Sequence, residues 1–330
     1  MSDLLFAINI VMPMAILLAI GYLFKKIGFL DDHFLRIGKK LCFYVFLSCS
    51  LFKNLYDSSL ESVPFRFLLL TVCGILIEIL LSWIIANKIA SKRNETGVII
   101  QGSFRSNFAY LGIPLATTFF TDPALVQQTT TELSLTAAVV IPLYNIFSVL
   151  ALTRYGNDKD DTSLLKRSVL GILKNPCIIS VVCGIIVLLY RGMMPSASFF
   201  IRDQIPFLYK VLSYLAQVST PFAFLLVGAS LDFRHSVTNA GKLSIVVALR
   251  NLIFPAAVLC TACLLKAASA VEYAILVSVF ASPTAVASAV MAAEMGGDSD
   301  LANEIVIYST AFSMISLMII IYTLKAMGCV

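Results

Sequence analysis

The sequence predicts an all-α membrane protein of ten transmembrane helices in two inverted five-helix repeats. Three observations lead there. The chain has 330 residues, is 59% hydrophobic and only 13% charged, and its mean hydropathy is +0.92. Soluble domains average about 45–50% apolar and about 25% charged. The apolar runs are about 20 residues long, the length that takes a helix across hydrocarbon, and lack the ten-residue alternation of a barrel. A shift of 176 residues lays Phe104 on Phe280, Ser106 on Ser282, Ala109 on Ala285, Asp122 on Asp298 and Leu125 on Leu301. Five spans per repeat is an odd number, so the second unit is inverted in the membrane.

The spans follow in order. The first is 4–24, with Pro13 inside. Met1-Ser2-Asp3 lacks a basic region and no small-residue cleavage site follows, so this run is expected to be kept as a span. A basic loop holds Lys25, Lys26, Arg36, Lys39 and Lys40. The second span is 41–60, and the third is 65–90 with Glu78 near its centre. The fourth, 97–120, contains the break discussed below. The fifth is 133–152, with Pro142, Tyr144 and Asn145. Residues 154–174 form a polar linker ending in an amphipathic interfacial helix, which separates repeats at 1–153 and 175–330. Then come 175–190, 207–231 with Ser219-Thr220-Pro221, and 243–265 with Arg250, Asn251 and Pro255. The ninth, 273–295, is broken near Pro283, and the tenth is 305–324.

Fifteen Lys and Arg residues flank the exits of the odd-numbered spans, against seven on the other face. Cytoplasmic loops carry such an excess, so both termini are expected outside the cytoplasm. The acidic loop of Glu294, Asp298, Asp300 and Glu304 runs against the trend, but acidic residues count little in the rule. These carboxylates and Glu132 are expected to be solvated. The net charge of +5 is therefore a matter of orientation, and no nucleic-acid partner is expected.

The eight cysteines suggest no cofactor or metal. All but Cys329 lie in apolar segments, where Cys packs as a small hydrophobe. Cys260-Thr-Ala-Cys263 has CxxC spacing, but the chain offers only His33 and His235 as further ligands. With its two histidines outside the membrane centres, no phosphate loop and no paired aspartates in a protease-like context, an enzyme is not expected and no catalytic residue is assigned.

Residues 102–119 read GSFRSNFAYLGIPLATTF, which places Arg105, Asn107, Gly112 and Pro114 at membrane depth. A continuous helix would avoid them; a broken helix exposing backbone to a small polar ligand would use them. Half-helix N-termini carry free N–H groups and partial positive charge, which suits an anion. Asn107 either caps the break or donates its amide to a carboxylate. Gly112 and Pro114 shape the backbone. Pro283, Thr284 and Ser288 make the second half of the site, unless the hydroxyls bond their own backbone. Ser48, Ser219, Thr220 and Pro221 close it from spans two and seven, and Tyr144 and Asn145 from span five. Arg105 and Arg250 either balance substrate charge or serve structure. Glu78 either carries a coupling proton or forms a fixed ion pair with one of these arginines.

The run Arg105-Ser-Asn107-Phe-Ala-Tyr-Leu-Gly112-Ile-Pro114-Leu115 resembles the fourth-span signature of the auxin efflux carrier family, in which an asparagine precedes GIP at this spacing. Gly228-Ala-Ser-Leu-Asp232, Arg250 with Pro255, and Ser282-Pro283-Thr284 through Glu294 resemble its seventh, eighth and ninth spans. The resemblance implies that spans four and nine cross at their breaks. It implies a scaffold of spans 1, 2, 6 and 7, often dimeric, and an elevator-like transport domain of spans 3–5 and 8–10. It also implies a secondary transporter of organic anions, auxin-like or mono- and dicarboxylates such as malate or malonate; a plasma-membrane location is expected, with a proton or sodium ion as possible co-ion. An anion channel or an uncoupled uniporter is the alternative. Ser48 and Ser288 stand where family members often carry proline, which predicts a sharper first crossover than second.

Overall fold

Proline, asparagine and short capping side chains decide where this chain leaves the helix. The computed structural model describes residues 3–57, 65–156, 176–193, 200–231, 240–265 and 268–330. The expected interfacial helix of the 154–174 linker lies outside the described residues, as does Asp232. In chain order the helices are α1 (Asp3–Lys26), α2 (Asp32–Leu41), α3 (Ser48–Tyr56), α4 (Phe65–Ile89), α5 (Arg93–Phe104), α6 (Ile113–Ala116), α7 (Pro123–Tyr155), α8 (Pro176–Met193), α9 (Phe200–Gln204), α10 (Pro206–Ala229), α11 (Ala240–Leu264), α12 (Ala270–Ala281), α13 (Ala287–Glu294) and α14 (Ser299–Ala326). Among the described residues six helices are long and apolar enough to cross a membrane: α1, α4, α7, α10, α11 and α14. The other spans drawn from the sequence fall on shorter or interrupted helices.

Wide π turns mark the interruptions. Those at Phe108–Gly112 and Leu249–Ile253 directly precede Pro114 and Pro255. Proline has no N–H for the carbonyl four residues back, and a widened turn absorbs the mismatch. The π turn at Cys42–Leu47 joins α2 to α3 without a proline. There Ser48 takes over, its hydroxyl donating to the Phe43 carbonyl at 3.0 Å.

Caps set the starts. Asp122 accepts from the N–H groups of Ala124 and Leu125, with Pro123 in the first turn, and Asp298 accepts from Leu301. α7 therefore begins ten residues before the predicted span, and Glu132 is buried inside it, accepting from Gln128 Nε2 at 2.8 Å. Glu304 is likewise buried in α14. The expectation that both are solvated is corrected: each lies on the inward stripe of a helix that starts earlier than its apolar run. Glu95 accepts from the Ser91 and Lys92 N–H groups, and Glu272 from Ser269.

α1 packs along α10, α3 against α8 and α10, and α5 between α4 and α7. Gly228 permits the first contact, since a Cβ there would stand 2.0 Å from the Leu18 carbonyl oxygen. α11, α12 and α14 complete the other side, and α14 also touches α1. Lys242 pairs with Glu95 at 2.6 Å, Arg93 donates to the Arg154 carbonyl, and the Asp298 N–H bonds Asn94 O. The acidic loop after α13 thus shares one end of the bundle with the basic loops. At the opposite end Tyr209 donates to Asp57, and Lys325 Nζ stands 4.5 Å over the Phe6 ring. Cys263 faces Cys329 at 3.5 Å rather than its CxxC partner Cys260.

Candidate functional site

α5 stops at Phe104, and Arg105–Asn107 leave the helix; α12 stops at Ala281, and 282–286 do the same. The two extended pieces pair antiparallel at Ser106 and Thr284. Asn107 N–H donates to Pro283 O at 2.7 Å, and Ala285 N–H donates to Arg105 O at 3.0 Å. Each break satisfies the other, which meets the requirement that buried backbone groups be paired. The second break spans more residues than the first and leaves the helix just as completely, with Pro283 in the position of the donor-less residue. Ser288 lies beyond the break, in α13, so it does not soften the crossing.

Arg250 is fully buried beneath the crossing. Its Nε donates to Ser282 O (3.0 Å), one terminal nitrogen to Phe104 O (2.8 Å), and the other to Val279 O (3.0 Å) and Phe280 O (2.5 Å). It therefore caps the C-terminal ends of both half-helices, where partial negative charge collects. Glu78 stands 3.6 Å from Arg250.

Above the crossing lies a cavity of about 230 Å3, lined by Phe43, Arg105, Asn107, Tyr110, Tyr144 and Asn145 among others. Arg105 donates to Asn145 Oδ1 at 2.7 Å and to Met291 Sδ. No carboxylate pairs with it among the described residues. Asn107 is 2% exposed, and its Nδ2 has no partner; neither does Ser106 Oγ. Phe108, Ala109 and Tyr110, the first turn after the break, also line the cavity. The first N–H groups of a helix have no intrahelical acceptor. One full positive charge, an unpaired amide and an open helix start therefore converge on one space.

The model of the membrane transport protein family matches residues 6–321. The chain belongs to this family, that of the auxin efflux carriers. An uncharacterized transporter of Methanothermobacter thermautotrophicus is 24% identical over 320 residues, covering 93% of this chain and 95% of that protein. An uncharacterized transporter of Methanocaldococcus jannaschii is 25% identical over 235 residues, 68% of each chain.

The carrier signature thus brings Arg105, Asn107 and Asn145 together. The other expected residues are placed differently. Thr284 is buried, and its hydroxyl donates to Gly102 O at 2.7 Å, so it ties the second break to α5. Ser288 Oγ is buried without a partner but does not line the cavity. Gly112 is a packing position: a Cβ there would stand 2.5 Å from Ser278 O. Pro114 is buried in α6 behind it. Ser48, Thr220 and Pro221 do not line the cavity either; Phe43 from the π turn of the second span takes that wall, stacked on Tyr110 at 6.0 Å. Sequence reasoning missed Ser106, Phe43 and Tyr110. Only Ser106, next to Asn107 in the signature, carried a local signal. A neighbouring cavity of about 210 Å3 shares Tyr110 and Ala287 and is lined by Lys39 and Met291. Lys39, expected in a basic loop, lies in the last turn of α2 and lines this cavity.

Proposed function

We propose that this carrier is a secondary transporter of a small organic anion, auxin-like or a mono- or dicarboxylate such as malate or malonate. The observation that carries the reading is the Arg105 guanidinium. It faces the crossover cavity beside the unpaired Asn107 Nδ2, and among the described residues no carboxylate neutralises it. A buried cation without an acidic partner is costly, and an incoming carboxylate compensates it. Lys39, in the adjoining cavity, suits the second carboxylate of a dianion.

Two inverted repeats, 1–153 and 175–330, are supported by spacing. The helix caps Asp122 and Asp298 are 176 residues apart, Glu95 and Glu272 are 177 apart, and the paired Ser106 and Thr284 are 178 apart. In this reading α1, α2, α3, α8 and α10 form a scaffold that dimerises. The remaining spans move past it as an elevator in the plasma membrane, with both termini outside the cytoplasm. The uncoupled channel is separated from this carrier by counterflow. Proteoliposomes loaded with unlabelled malate or malonate are expected to accumulate the labelled anion transiently and saturably. Large non-saturating currents without counterflow would establish the channel instead.

A further inference from the structure

We infer that Glu78 carries the co-ion, and that this ion is a proton taken up as the anion binds. This rests on the anion reading above. Glu78 is 2% exposed, and both carboxylate oxygens lack a hydrogen-bond partner. Arg250 is 3.6 Å away, too far for a hydrogen bond. A structural ion pair would show the two-pronged geometry that guanidinium and carboxylate favour. Here the guanidinium has spent four donors on the carbonyls of Phe104, Val279, Phe280 and Ser282. Arg250 therefore keeps its partners when Glu78 is neutral, so Glu78 is free to change charge.

The surroundings choose the ion. Glu78 borders a cavity of about 270 Å3 between α4 and α11, walled by side chains such as Leu70, Ile77, Phe254 and Val258. Among the described residues that line it, Thr261 brings the one hydroxyl. A hard metal cation needs a cage of about six oxygens; a proton needs one. Thr71 and Ser82, seven residues before Glu78 and four after it, lie on the same buried stripe of α4 with unpartnered hydroxyls. They give a proton a file of polar atoms toward the carboxylate.

The sign of the coupling follows from charge. The groups facing Glu78 are Arg250 from α11 and Tyr144 from α7. α5 and α12 present backbone carbonyls to Arg250, and Phe280 lies against Gly74. Neutralising Glu78 leaves Arg250 and Arg105 unopposed on either side of the crossing, which strengthens anion binding. Linkage is reciprocal, so the bound anion also strengthens proton binding. The two then travel together.

The test is calorimetry on the purified full-length protein. The tightest binder among malate, malonate, acetate and indole-3-acetate is titrated in two buffers of different ionisation enthalpy. The wild type is expected to take up about one proton per anion. Glu78→Gln is expected to bind the anion with that uptake lost, and Glu78→Asp to retain it. Replacing sodium by choline leaves the affinity unchanged. Anion binding without proton uptake, undiminished uptake in Glu78→Gln, or a tenfold dependence on sodium overturns the inference while leaving the anion site standing. No binding by any of the four anions overturns the anion reading, and this inference with it.

Discussion

Arg250→Met is expected to cost the detergent-solubilised protein most of its stability. The change strips donors from four buried carbonyls at the ends of two half-helices. A buried acceptor left unpaired costs about 1–3 kcal/mol. Val279 O keeps the Tyr144 hydroxyl at 3.4 Å; the other three amount to at least about 3 kcal/mol, a fall in Tm on the order of 10 °C. Arg250→Lys offers three donors from a single nitrogen and cannot span acceptors on both half-helices. It should fall between the wild type and Arg250→Met. The double variant Arg250→Met/Glu78→Gln separates the causes. If carbonyl capping is the role of Arg250, removing the Glu78 charge restores little stability. Full restoration would show that the ion pair was what mattered. Thermal unfolding of the four proteins decides.

Arg105→Gln is expected to spare the fold and abolish tight anion binding. Among the described residues the Arg105 guanidinium is held only by Asn145 and Met291, both through side chains, so no backbone group there is orphaned by its loss. A hydrogen bond to a charged group is worth about 1.5–3 kcal/mol, which is about 10- to 100-fold in affinity. Isothermal titration with the best-bound carboxylate should show that weakening, with Tm in the absence of ligand changed little. Undiminished affinity would move the anion elsewhere, with the Lys39 cavity next in line.

The sequence shows the breaks because breaking a membrane helix needs specific residues. Asn107, Pro114, Pro283 and the caps Asp122 and Asp298 are local devices, and each sits where its chemistry is needed. The transport family was legible for the same reason. Side-chain commitments were not. Thr284 looks like a ligand in sequence, but a carbonyl on α5, 182 residues away, takes its hydroxyl. Arg250 and Arg105 look alike as intramembrane cations. One spends four of its five N–H donors on carbonyls and the other lines an open cavity, a difference set wholly by tertiary contacts. The same holds for the wall from the second span. Ser48 was the polar candidate, yet the π turn occupies its hydroxyl and presents the Phe43 ring to the cavity. Periodicity reports which face of a helix is apolar, and it is silent about a widened turn that rotates that face.

The central claim is that the crossover cavity binds the transported anion through Asn107 and its neighbours. Thermal unfolding of the wild type and Asn107→Ala, each titrated with mono- and dicarboxylates, tests it most directly. A ligand at one hundred times its dissociation constant stabilises by about 2.7 kcal/mol. At least one carboxylate should therefore raise the wild-type Tm by several degrees, saturably, and raise that of Asn107→Ala far less at the same concentration. If no carboxylate stabilises the wild type, or the variant responds identically, the anion site is not at the crossover.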